Sequence, residues 1–208
     1  GLNRLRPDST EFEWINVSTK PSISDPRVMS LFSEERSLWV GTYDSGLNKV
    51  DLNTGQTTTY RSSTVRGSGL RANGITSILR LSTGELLVGT YGGGLSIYND
   101  KTDDFTSLVN DPNDSTTLSN NRVLAIYEDS LGFVWIGTEK GLNRLHQEKR
   151  TFQRYFSESN ESNSLSSDIP WCFYEDTRGT LWIGTSGGGL NLWRREERKN
   201  SRTHIQQF

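Results

Sequence analysis

The chain is 208 residues long, 32% hydrophobic and 10% aromatic, with six tryptophans and a formal net charge of −2. That balance argues against a general polyanion binder, because nucleic-acid affinity rests on clustered Lys and Arg. No stretch approaches the ~20 apolar residues of a membrane span, no signal-peptide pattern opens the chain, and the single cysteine, Cys172, excludes an internal disulfide.

In chain order, the first five residues, Gly1-Leu-Asn-Arg-Leu5, recur letter for letter at Gly141 to Leu145, and Phe12 follows Gly1 as Phe152 follows Gly141. The chain therefore begins inside a repeated unit, and residues 1–15 are expected to supply the third and fourth strands of a unit whose first two are absent. Four versions of one segment follow: LWVGTYDSGLNKV from Leu38, LLVGTYGGGLSIY from Leu86, VWIGTEKGLNRL from Val134 and LWIGTSGGGLNLW from Leu181. The glycine before the threonine falls at Gly41, Gly89, Gly137 and Gly184, in steps of 48, 48 and 47 residues. A fixed period of this size is the signature of a repeat architecture.

Within each unit, runs such as Leu38-Trp-Val40 read as strands, and the glycines after Gly-Thr supply a tight hairpin turn into a second alternating run such as Leu142-Asn-Arg-Leu145. An aromatic strand such as Phe152-Gln-Arg-Tyr155 follows, and Val123-Leu-Ala-Ile-Tyr127 precedes the hairpin. Asp129-Ser-Leu-Gly132 and Asp176-Thr-Arg-Gly179 join first strand to second, with Asp capping the turn. The first unit has Ser33-Glu-Glu-Arg36 there, one residue shorter and without glycine, so its turn should be the least regular. Trp39 and Gly41 share one face of a strand and Leu38 and Val40 the other, so both faces must be covered, which face-to-face stacking achieves. The expected fold is all-β: a β-propeller segment of four complete four-stranded antiparallel blades, at 27–60, 75–108, 122–156 and 169–208, plus a half blade at 1–15. The 208 residues form one domain, read as a piece of a longer propeller, whose open sheet surfaces should drive homo-oligomer formation.

The connections from outer to inner strands, at 62–69, 110–117 and 157–164, are polar, as solvated loops are. Asn110-Asp-Pro-Asn-Asp-Ser115 lacks calcium-loop spacing and reads as an Asx-rich turn. His146 and His204 stand alone, so no metal site is expected. Arg194-Arg-Glu-Glu-Arg-Lys199 alternates in sign and reads as a solvated turn, and Cys172 as a small buried thiol. The Gly-rich segments lack the Lys-Ser/Thr of a phosphate loop. What varies while the framework repeats is Tyr43, Asp44, Tyr91, Glu139, Lys140 and Ser186 after Gly-Thr, with Arg27, Asn73, Asn121, Arg122, Asp168 and Trp171 entering the inner strands. These should gather at the channel mouth, where rings beside Arg, Asn and Asp suit a small polar molecule or oligosaccharide. No cofactor and no catalytic residue is assigned.

The pattern LSxNxVxxIxEDxxGxxWIGTxxGLN, best matched by Leu118 to Asp129 with Gly132 and Trp135-Ile-Gly-Thr138, closely resembles the two-component regulator propeller repeat. Departures are the short first turn, Leu87 in place of Trp, and Pro170 in place of Ile or Val. The resemblance implies a periplasmic or extracellular sensor region of a bacterial membrane receptor with a histidine kinase or diguanylate cyclase output, some members sensing oligosaccharides. The function it implies is signal sensing by binding and not catalysis. Two alternatives stand beside it: a protein-interaction scaffold, and a glycosidase or lyase, which would need paired carboxylates on one rim, drawn from Asp44, Glu139 and Asp168.

Overall fold

The computed structural model of the chain describes residues 1–6, 9–63 and 69–208. Pro7 and Asp8 of the expected half blade, and residues 64–68 of the expected first linker, lie outside the described residues.

β1 (Leu2–Leu5) and β2 (Phe12–Ile15) form an antiparallel pair, and four four-stranded antiparallel sheets follow. Blade 1 is β3 (Val28–Ser33), β4 (Ser37–Thr42), β5 (Leu47–Asp51) and β6 (Thr57–Tyr60); blade 2 is β7 (Ile75–Arg80), β8 (Leu86–Thr90), β9 (Gly94–Asn99) and β10 (Asp104–Leu108). Blade 3 is β11 (Val123–Glu128), β12 (Val134–Thr138), β13 (Gly141–His146) and β14 (Thr151–Tyr155). Blade 4 is β15 (Pro170–Glu175), β16 (Leu181–Thr185), β17 (Gly189–Trp193) and β18 (Ile205–Gln207), with a short helix α1 (Arg195–Lys199) before its last strand. First strands β3, β7, β11 and β15 pack against one another in series, so each blade turns its first strand inward and its fourth outward. The chain is a β-propeller segment.

Alternation along the second strand sends neighbouring side chains to opposite blades. Trp39 is buried with Leu86, Val88 and Phe105 of blade 2, whereas Val40 is buried with Leu2 and Ile15 of the N-terminal pair. Trp135 turns to Leu181, Ile183 and Ile205 of blade 4, while Val134 and Ile136 meet Leu87, Leu95 and Ile97 of blade 2. The core is thus a series of junctions between neighbours, and each large side chain buried there contributes about 1.5–3 kcal/mol. The glycine on the tryptophan face is required by close approach. A Cβ at Gly41 would lie 2.6 Å from Cγ2 of Ile75, and one at Gly137 2.3 Å from the carbonyl oxygen of Pro170.

Polar contacts explain the rest of the repeated pattern. The Asp129 carboxylate accepts the N–H groups of Leu131 (2.9 Å) and Phe133 (3.0 Å) and the indole N–H of Trp135 (2.9 Å). Asp176 does the same for Arg178, Thr180 and Trp182. The neighbouring acid stitches blades together: Glu128 accepts both the N–H and the hydroxyl of Ser82 in blade 2, and Glu175 those of Ser130 in blade 3. Buried Asn143 accepts the Ser119 N–H at 2.9 Å and donates to the Ser119 hydroxyl at 2.8 Å; Asn48 with Ser24 and Asn191 with Ser166 repeat the exchange. Blade 1 departs where its sequence does. Ser33 pairs with Leu38 where Glu128 pairs with Val134, a turn one residue shorter, and with no aspartate there the buried Nε1 of Trp39 has no partner among the described residues.

Two expectations are corrected. Residues 194–199 are not a solvated turn: α1 forms, and Arg198 is buried with Nε 3.0 Å from Asp129 and Nη2 2.6 Å from Glu175. Its acceptors lie far away in sequence, so the local sign alternation carried no hint of them. Cys172 is exposed. Its counterpart Ser77 faces the next blade, accepting the N–H of Ile126, and no described blade covers that face of blade 4.

Candidate functional site

The site is made by one irregularity repeated four times. Each first strand shifts register after its first residue, leaving Met29, Thr76, Leu124 and Trp171 as the extra residue of a bulge. A bulge re-aims its side chain out of the ladder. All four line a single cleft of about 710 Å³, together with Tyr43, Asp44, Asn73 and Tyr91. Its walls are mainly aromatic and aliphatic, with Met29, Tyr43, Tyr91 and Trp171 each about half exposed.

On its rim stand two related clamps. In blade 1 the Arg27 guanidinium lies 4.7 Å from the Tyr43 ring centroid and reaches Asp44 at 2.8 Å and Asp25 at 3.0 Å. Hydrogen bonds from the Arg27 side chain and backbone hold the Asp25 carboxyl far below the usual carboxylate range. In the second clamp, Arg122 of blade 3 lies 4.9 Å from the ring of Tyr91 of blade 2 and 2.8 Å from Glu139, while the Tyr91 hydroxyl donates to Glu139 at 2.8 Å. The Arg122 hydrogen bond, then that of Tyr91, lowers the Glu139 pKa, and the same Glu139 contact raises that of the Tyr91 phenol. The Arg27–Asp44 and Arg122–Glu139 pairs are open to solvent, so each contributes little to stability, whereas Asp25 is buried. Their geometric effect is to fix two rings at the mouth.

Of the residues singled out in the sequence, Tyr43, Asp44, Asn73, Tyr91 and Trp171 line the cleft, and Arg27, Arg122 and Glu139 brace its rings. Asn73, Asn121 and Asp168 share a scaffold duty. Their side-chain oxygens accept the N–H groups of Ser62, Asn110 and Ser157, and their carbonyls accept those of the turn glycines Gly46, Gly94 and Gly141. Asn121, Asp168 and Lys140 do not line the cleft. Sequence reasoning missed Met29, Thr76 and Leu124. Their one trace was a broken alternation at Val28-Met29 and Val123-Leu124, where two apolar residues run together.

Elsewhere, the carboxylates of Asp111 and Asp114 cap their own turn, accepting the N–H groups of Asn113 and Thr116. Among the described residues no group of three or more His, Cys, Asp and Glu gathers as a metal site would. No helix among them is long and apolar enough to cross a membrane.

Comparison with known proteins adds four findings. A family described as two component regulator propeller matches residues 117–140 and 164–187. A histidine kinase P4 of Formosa agariphila is 32% identical over 162 residues, covering 75% of this chain and 12% of that protein. The extracellular domain of a putative hybrid two-component system from B. thetaiotaomicron superposes with a TM-score of 0.71 at 22% identity, over 89% of this chain and 23% of that one. A catalytically inactive virginiamycin B lyase from Staphylococcus aureus superposes with a TM-score of 0.59 at 14% identity, over 89% and 56%. At these identities the two solved structures bear on the fold alone. The chain spans 12% of the length of its curated relative.

Proposed function

This chain carries repeats of the two-component regulator propeller family, and we propose that it is a sensing segment of a bacterial signalling receptor, working outside the cytoplasm. It binds a small polar ligand, an oligosaccharide by preference, at the cleft where its first strands meet, and does no chemistry on it. The observation that carries this reading is the cleft itself: three aromatic rings, from Tyr43, Tyr91 and Trp171, over a floor of bulged side chains. Rings stack on the apolar faces of sugars while Asp44 and Asn73 pair with hydroxyls. Because Tyr91 belongs to blade 2 and its braces Arg122 and Glu139 to blade 3, a ligand seated on Tyr91 bears on how two blades sit together. It shifts the receptor only by its difference in affinity for two such arrangements.

Catalysis fits less well. The carboxylates available for acid and base are each engaged: Asp44 with Arg27, Glu139 with Arg122 and Tyr91, Asp168 with the Ser157 N–H. Titration of an oligosaccharide panel by calorimetry, with mass analysis of the mixture afterwards, tests the reading. Saturable binding without product, weakened at least tenfold by Trp171→Ala, is expected. Turnover of any bound glycan overturns it.

A further inference from the structure

The residue just before each first strand holds an equivalent place in every blade. The carbonyls of Arg27, Gly74, Arg122 and Ile169 accept the N–H groups of Tyr43, Tyr91, Glu139 and Ser186, the residues that follow Gly-Thr. At blade 3 the Arg122 side chain fills the gap between two of these, lying 4.9 Å from the Tyr91 ring of the blade before and 2.8 Å from Glu139 of its own. At blade 2 the corresponding neighbours are Tyr43 and Tyr91, and Gly74 puts no side chain between them. The approach is close. A Cβ on Gly74 would lie 2.8 Å from the Tyr43 carbonyl oxygen and 3.2 Å from Cβ of Tyr91. Both tyrosines and Gly74 line the cleft. Each ring has one face taken by a guanidinium, Arg27 on Tyr43 and Arg122 on Tyr91, and neither arginine lines the cleft, so each ring turns its other face to it.

Charge at this gap is one-sided. Among the described residues, Asp44 is the one charged side chain that lines the cleft. Arg27, its partner, is shared with buried Asp25, so the blade 1 clamp carries one negative charge in excess, whereas Arg122 and Glu139 balance. The remaining lining, with Met29, Ile75, Leu124 and Trp171, offers an anion no partner. A carboxylate or sulfate laid there would lose water without gaining a counter-ion, and would meet Asp44 as a like charge.

Building on the glycan-binding reading above, we propose that the gap at Gly74 seats one uncharged sugar ring between Tyr43 and Tyr91 and that acidic glycans are refused. Gly74 admits the ring, and Asp44 sets its charge class. Calorimetric titration of the chain with neutral oligosaccharides, and with uronate-bearing and sulfated ones of the same length, tests this. The tightest neutral glycan should bind at least tenfold better than any acidic one at low salt. Asp44→Asn and, separately, added salt should each narrow that ratio, because both weaken the like-charge repulsion. Gly74→Arg, its fold followed by circular dichroism, should weaken neutral binding at least tenfold; if that variant misfolds, the Asp44 and salt arms decide. Acidic glycans that bind as well as neutral ones overturn the inference and leave the sensing reading standing. So does a ratio unmoved by both Asp44→Asn and salt, or a folded Gly74→Arg chain that binds as before. Binding of no glycan at all removes the sensing reading and the inference with it.

Discussion

At the junction of blades 3 and 4, the indole N–H of Trp135 is held by Asp129, which also pairs with Arg198, itself tied to Glu175. At the junction of blades 1 and 2, the indole N–H of Trp39 has no partner among the described residues, while rings pack around it as Tyr155 and Trp193 pack around Trp135. Trp39 stands 5.0 Å from Tyr98 and 5.9 Å from Tyr60, with the Lys49 ammonium 4.9 Å from its own ring. The hydroxyls of Tyr60 and Tyr98 converge on one carboxylate oxygen of Asp103, and burial, helped by Asp103, pushes the Tyr98 phenol up to about 12. The same backbone period is therefore sealed in two ways. The architecture demands an apolar side chain at that position, tryptophan in blades 1, 3 and 4 and buried Leu87 in blade 2, and the hydrogen bond from the indole nitrogen is an addition that blade 1 forgoes.

The largest effect should come from breaking the polar junction. Asp129→Ala strips the turn of its cap and leaves buried Arg198 half paired, a loss of about 3–5 kcal/mol readable in the urea midpoint. Adding Arg198→Met removes the stranded charge and should restore part of that loss. Next comes a matched pair of substitutions that sharpens the comparison. Trp135→Phe should cost more than Trp39→Phe, by about 1 kcal/mol, because only the former loses an indole hydrogen bond, the Asp129 carboxylate keeping Arg198 as its other donor. Equal losses in thermal melts would mean that the indole hydrogen bond contributes nothing.

The smallest effect belongs to the aromatic junction and depends on pH. Hydrogen bonds from Tyr60, then Tyr98, lower the Asp103 pKa in the folded chain. Its contribution is thus complete above the ordinary aspartate value of about 3.9 and is lost as pH falls through the lower folded value. Asp103→Asn should flatten that part of the acid decline in stability and leave the behaviour near neutrality almost unchanged. Melting curves taken from pH 6 down to pH 2 would show it.

Much of this was legible in the sequence because propeller blades are locally built. Strand, turn and hairpin each close within a few residues, so Asp129, Gly132 and Trp135 announce one turn wherever they recur. Even departures were readable: blade 2 has Ser96 where the others have a buried asparagine, and Arg71 where its serine partner would stand. What was hidden depended on distance or on a change of register. Arg198 finds acceptors in two different strands' ends, and Leu124 reaches the cleft only because a bulge reverses its direction. Asn73, Asn121 and Asp168 all vary around a polar mouth, and the sequence did not show that their side chains also cap linker backbone or that of the three only Asn73 lines the cleft.

We propose that recognition happens at the inward cleft and not on the outer strands. Backbone chemical-shift mapping of the isotope-labelled chain with a bound oligosaccharide tests it most directly. Shifts gathered at Tyr43, Asp44, Asn73, Tyr91, Leu124 and Trp171 are predicted. Shifts confined to the outer strands β6, β10 and β14, with the cleft residues silent, would contradict it.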